Sequence, residues 1–218
     1  MPLRLSIVSA LSLAMSSSVI AEESAFNPDI SLILDGRFGA FDNESDYELP
    51  GFMLGGEAGR GEEGFHLGHN ELAISANVDN LFYGKLTAAI ADHEGDTEVE
   101  LEEAFIETVA LGNGLKIKAG RFFSAIGYLN QQHGHAWDFA DAPLVYRGLF
   151  GNQLIDDGLQ VSWVAPTDIY LQLGGELLRG ERFPAGGASN DGKGAGTLFA
   201  KIGGDMGESH AWQLGLSH

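Results

Sequence analysis

Polarity alternates along this chain with a period of two residues, in one segment after another. In ELAISANVDNLFYGKLTAAIAD (71–92), Glu71, Ala73, Ser75 and Asn77 hold one set of positions and Leu72, Ile74, Ala76 and Val78 the other. After Asp79-Asn80 the pattern resumes, with Leu86, Ala88 and Ile90 set against Lys85, Thr87 and Ala89. Successive side chains of a β-strand point to opposite faces, so this spacing predicts a hairpin with one apolar and one polar face. The apolar face must meet either a protein core or lipid.

About nine segments alternate in this way: 29–41, 66–78, 82–92, 98–110, 115–123, 158–165, 169–178, 196–203 and 210–218. The stretches between them alternate in length. Residues 42–65, 124–157 and 179–195 are long and 93–97 moderate, while 79–81, 111–114 and 166–168 are tight and 204–209 short. Long loops gathered at one end and tight turns at the other characterise a bacterial outer-membrane barrel and have no counterpart requirement in a soluble sandwich. Aromatic residues near segment ends (Phe38, Phe41, Phe65, Phe82, Tyr83, Phe122, Phe123 and Tyr170) suit girdles at the two membrane interfaces. The fold class expected is all-β: a transmembrane antiparallel up-and-down β-barrel, porin-like. On that fold Leu72, Ile74, Leu86, Ile90, Val161 and Leu171 should face lipid, and Ser75, Thr87, Gln160 and Gln172 a wet lumen.

The first residues fit export. MPLRLSIVSALSLAMSSSVIA carries Arg4, then an apolar run too short to span a bilayer as a helix, then small residues. A signal peptide over 1–21, cut after Ala21, is expected, leaving 22–218 as barrel in the outer membrane. That cut removes one Arg from 12 Lys+Arg and no acid from 31 Asp+Glu, so the formal charge becomes 11 − 31 = −20. Such a charge excludes nucleic-acid binding through phosphates. No cysteine is present, so no disulfide framework holds the chain.

EVELEEAFIETVALGNGLKIKAGRFFSAIGYLN (98–130) resembles the strand–turn–strand of phosphate-selective porin-like outer-membrane proteins: an acidic aromatic strand, a tight turn, and a strand ending Gly120-Arg121-Phe122. GRFFSAIGYLNQQHGHAWDFADAPLVYRGLFG (120–151) is similar to proteobacterial outer-membrane proteins labelled zinc-regulated or TonB-dependent receptors. The resemblance implies an outer-membrane barrel, with lipid and small solutes or metal ions as partners and a homotrimer among the assemblies such barrels adopt. The acidic charge departs from phosphate selectivity, and the first strand follows the leader too closely for a receptor's plug domain. Single-chain bacterial barrels have even strand numbers. Nine strands therefore suggest the N-terminal part of a larger barrel, or else an eight-stranded one.

For chemistry, His133 and His135 sit two apart in the longest loop with Asp138 and Asp141 behind them, a set suited to zinc or a similar divalent ion. His66, His69, Glu71 and His93 would approach the same rim. Glu98, Glu100 and Glu102 share one strand face, which cannot be the lipid face. Their neighbour Glu103 falls on the opposite face unless a β-bulge turns Glu103, Phe105 and Glu107 inward as well. No G-x-S-x-G, H-E-x-x-H or P-loop is present, so an enzyme is not expected. The function expected is passive diffusion of small solutes through a lumen lined by Glu71, Ser75, Asn77, Lys85, Glu98, Glu100, Glu102, Lys116, Lys118 and Gln160. Its acidic lining would favour cations. The alternative is a metal (zinc) uptake receptor using His133, His135 and Asp138.

Overall fold

The computed structural model describes residues 11–12, 28–42, 50–51, 63–93, 96–139, 141–186 and 194–218. The strands are β1 (Leu11–Ser12), β2 (Asp29–Ile33), β3 (Asp35–Gly39), β4 (Gly64–Leu67), β5 (Asn70–Asn77), β6 (Phe82–His93), β7 (Asp96–Thr108), β8 (Leu115–Phe123), β9 (Ile155–Val164), β10 (Tyr170–Leu178), β11 (Ala195–Met206) and β12 (His210–Ser217). One helix, α1 (Leu144–Phe150), lies between β8 and β9. The expected leader lies outside the described residues, apart from β1, which pairs with Asp35 and Gly36.

The protein is nearly all β. Nine strands form one antiparallel sheet in the order β12-β11-β10-β9-β8-β7-β6-β5-β2, so from β5 onward spatial order follows chain order. The expected segment 29–41 is split into β2 and β3, and 66–78 into β4 and β5, because β1, β3 and β4 form a small sheet of their own. Among the described residues the sheet does not close: β2 and β12 are its edges.

Burial is inverted relative to a soluble sheet. Glu71, Thr87, Gln160, Ser162, Glu176, Thr197 and Lys201 are buried on one face. Ile74 (37% exposed), Leu86, Val161, Leu177 (68%), Leu198 and Leu216 (78%) stand out on the other. Ser75 and Gln172 are half-buried, as are Leu72, Ile90 and Leu171. Two aromatics depart from the expected girdles. Phe122 and Phe123 are buried, Phe122 packing with Leu154 and Leu178 against Phe105, Ile126 and Phe150. Phe122 thus belongs to a small apolar core, while Phe123 packs against His133 of the connector between β8 and β9.

That connector, 124–154, lies across the inner face. Gly127 N donates to Ser217 Oγ on β12 (2.9 Å), Lys201 Nζ on β11 donates to Gln131 Oε1 (3.1 Å), and His135 Nδ1 lies 2.9 Å from Glu71 Oε1 on β5. β5 and β12 are seven strand spacings apart, an arc of about 34 Å. The eight steps from Gly127 to His135 reach about 27 Å if fully extended, and they include turns and the 3-10 segment Gly134–Ala136. The sheet therefore curls around its connector. Asn130, fully buried, ties the connector's ends together by donating to Ser124 O and Leu154 O and accepting from Leu154 N.

Candidate functional site

The two adjacent acids Glu102 and Glu103 create the site. β6 and β7 shift register between Thr87 and Ala88, with Thr87 opposite Glu103 and Ala88 opposite Leu101. Glu102 is the extra residue, a β-bulge. Directly paired residues share a face, and Ala89 opposite Glu100 and Ala91 opposite Glu98 lie on the same inner side as Lys85 opposite Phe105. The bulge thus resets the phase, so that Glu98, Glu100, Glu102, Glu103, Phe105 and Glu107 all face inward. Val99 and Ile106 point outward, where they are exposed.

Around the bulge the inner ends of β5, β6 and β7 meet the connector. His133 Nε2 lies 2.9 Å from Glu103 Oε2, and Glu103 is held by Thr87 Oγ1 (3.1 Å) and Lys85. The other ring nitrogen of His133, Nδ1, is 2.9 Å from Glu71 Oε2 and 3.6 Å from Glu102 Oε2. Both are ion pairs without hydrogen-bond geometry at Nδ1, and Glu102 Oε2 likewise has no hydrogen-bond partner among the described residues. His69 Nε2 reaches Glu102 Oε1 (2.9 Å) and lies 3.8 Å from Glu71 Oε1, while His135 stacks on His133 with ring centroids 5.7 Å apart. The edge of the His133 ring packs on Phe123 at 4.9 Å.

His133 sits on the connector, outside the strands. Burial opposes its protonated form, but the carboxylates of Glu102, Glu103 and Glu71 outweigh burial and raise its pKa to about 11. Two donor groups share one carboxylate here: Glu71 with His133 and His135, and Glu71 with His69 and Glu102. Imidazole and carboxylate together suit a borderline divalent cation such as zinc.

The site gathers residues from both lists drawn from the sequence. Glu71, Lys85 and Glu102 come from the lining set and His133 and His135 from the metal set. Asp138 does not join: it is exposed and belongs to neither donor group. His66 Nδ1 faces Gly64 O at 3.3 Å, and the side chain of His93 lies outside the described residues. Glu100 is exposed and bonded to Arg182 (2.7 Å), while Glu98, Ser75 and Asn77 lie on β7 and β5 outside the cluster. Lys116 and Lys118 pair with Glu107 (2.9 and 3.6 Å) and, with Gln160, line a cavity of about 450 Å³ at the tight-turn end.

Glu176 was not among the expected residues. Its carboxylate, on β10, accepts from Ser124 Oγ, Thr197 Oγ1, Ala125 N (2.8 Å) and Gln160 Nε2 (2.7 Å). Only its inward register, two residues after Gly174 in an alternating strand, distinguishes it in the sequence.

These features define an all-β protein whose inner, polar face holds a histidine-bearing connector. No protein-family model matches the chain, and no solved structure matches it. A curated relative, an uncharacterised protein of Aquifex aeolicus (strain VF5), is 44% identical over 169 residues, which is 73% of this chain and 35% of the relative. The chain thus spans about a third of the length of the curated relative it matches.

Proposed function

We propose that this protein is part of the wall of an outer-membrane β-barrel, a porin-like passage for small solutes that favours cations. The inverted burial is the observation that carries this reading: an apolar face of Ile74, Leu86, Val161, Leu177 and Leu198 stands exposed while polar side chains are enclosed. Water would drive that arrangement the other way, and lipid would not. Strands β8, β9 and β10, at nine, ten and nine residues, have the length a tilted strand needs to cross a bilayer. An open edge is not tolerated in hydrocarbon, so in this reading the nine-stranded trough is one sector of a closed wall. The resemblance to phosphate-selective porin-like proteins supports the architecture, and the acidic interior argues for cations in place of phosphate.

Planar-bilayer recording under a salt gradient tests the proposal. A reversal potential of cation-selective sign is expected, and either anion selectivity or a lack of conductance by correctly folded protein would overturn it. Fractionation should place the protein with outer membranes after removal of residues 1–21.

The second reading, a receptor that captures zinc, is favoured by the two donor groups that share Glu71. Zinc-limited growth and accumulation in cells lacking the protein would decide it.

A further inference from the structure

Glu71 and Glu102 share an unusual charge environment. Among the described residues their ion-pair partners are histidines alone: His69, His133 and His135 for Glu71, and His69 and His133 for Glu102. Lys85, the nearby cation, is engaged with Glu103. Glu102 is only 5% exposed, yet its Oε2 accepts no hydrogen bond and faces His133 Nδ1, which donates none although it is ion-paired with Glu71 Oε2 at 2.9 Å. A buried carboxylate oxygen with nothing to accept from is costly. Two ion-paired groups that face each other across 3.6 Å without a hydrogen bond leave room for a third group between them.

We propose that Glu71, Glu102 and His69 bind one divalent transition-metal cation, that His133 joins them from the second donor group sharing Glu71, with His135 as an exchangeable further donor, and that the bound ion pins the 124–154 connector to β5 and β7. Three features of the geometry specify this. First, zinc held by nitrogen and oxygen at ~2.0–2.1 Å sets neighbouring ligand atoms ~3.3 Å apart in a tetrahedron. The observed contacts of 2.9, 2.9, 3.6 and 3.8 Å lie around that length, with His69 facing the Oε1 atoms of Glu71 and Glu102 and His133 their Oε2 atoms, so binding draws the two histidines together on one oxygen of each carboxylate.

Second, His133 has the support that a metal-binding histidine needs. Its Nε2 faces Glu103, which Thr87 and Lys85 hold in place, so Nδ1 is left as the atom aimed at Glu71 and Glu102. A carboxylate on the far nitrogen orients the ring and raises its basicity toward a metal.

Third, the donor chemistry selects the ion. Imidazoles beside carboxylates favour zinc, nickel or cobalt, whereas calcium and magnesium prefer oxygen alone. Binding releases any proton on His133 Nδ1, and the ion replaces its charge between the two carboxylates. This inference gives residues to the metal-handling reading above and rests on that reading only for biological use. The site itself stands on side-chain geometry.

The test is zinc titration of the purified, folded, full chain by calorimetry after chelator treatment, with metal content measured in parallel. One saturable ion per chain is expected. Glu102→Gln, which preserves shape, and His133→Ala should each weaken binding at least tenfold. Thr87→Val, acting through Glu103, should weaken it by roughly 10–100-fold, the effect typical of outer-shell partners. Asp138→Asn should bind as wild type does. Cobalt(II) should give the visible bands of a tetrahedral nitrogen–oxygen site, lost in Glu102→Gln. No saturable binding by folded wild type, unchanged binding in Glu102→Gln, or equally effective competition by calcium would overturn the proposal. Zinc bound at these residues with no effect on cellular accumulation would remove the receptor reading alone. Accumulation that survives Glu102→Gln and His133→Ala, with zinc binding lost, would separate the two the same way.

Discussion

Two buried carboxylates on the same inner face meet opposite fates. Glu176, on β10, receives two hydroxyls, a side-chain amide and a backbone N–H, and hydrogen bonds reach both of its oxygens. Glu102, on β7, has one oxygen on His69 and the other without a hydrogen bond, ion-paired with a histidine that does not donate to it. Burial is nearly the same, 4% and 5% exposed. The contrast teaches that burial alone does not identify function. A fully accepting carboxylate fastens the start of the connector to the sheet, and an incompletely satisfied one leaves room for a ligand.

The largest expected effect breaks the anchored half. Glu176→Ala leaves Ser124, Thr197, Gln160 and the Ala125 N–H without their acceptor. At ~1–3 kcal/mol for each buried group left unpaired, offset by rearrangement, a loss of more than about 3 kcal/mol is expected. Denaturant unfolding in detergent or lipid measures it, and a change under about 1 kcal/mol would erase the distinction between the two carboxylates.

A second substitution uses the outer face as reference. Ile74→Arg should cost ~2–4 kcal/mol in a bilayer if the residue sits near its midplane. An exposed position on a soluble protein would tolerate it within about 0.5 kcal/mol. Ser75→Arg, one residue further on and facing inward, should fold and alter conductance. Equal tolerance of both arginines in lipid would remove the membrane assignment.

The smallest effect belongs to the unsatisfied half. Glu102→Gln keeps an acceptor for His69 and removes a charge from beside Glu71, so stability should change by no more than about 1 kcal/mol. Unfolding of the chelator-treated variant checks this. A loss as large as that of Glu176→Ala would make Glu102 an anchor as well.

Much of this was legible from residue order. The hairpin 71–92 is β5 and β6 in the expected phase, with Ile74 opposite Leu86 and Ser75 opposite Lys85. Its turn is written locally, since Asp79 Oδ1 accepts from Leu81 N and Phe82 N (2.7 and 2.8 Å), an aspartate-type turn. The bulge was legible for the same reason: Glu102-Glu103 places one acid on each face unless the phase resets. Two of the histidines were legible as a pair and Glu71 as a residue of the same rim, but the contacts of His133 with Glu102 and Glu103 were not. Asp138 is near them in sequence and apart from them in space, whereas Glu71 lies 64 residues from His135 and is in contact with it.

Sequence by itself determined which face of each strand is polar, because a period of two leaves each side chain a single choice of face. It also determined that one acid too many had to be absorbed on β7. That the 124–157 loop folds inward is expected from the sequence; tertiary structure alone decided the path it takes across the sheet from β12 to β5. That path depends on Asn130, Gln131 and Gly127 finding partners on Leu154, Lys201 and Ser217. Such pairings carry no local periodicity and emerge only once the sheet has curled, which is why they bring His133 to Glu102 without any mark in the order of residues.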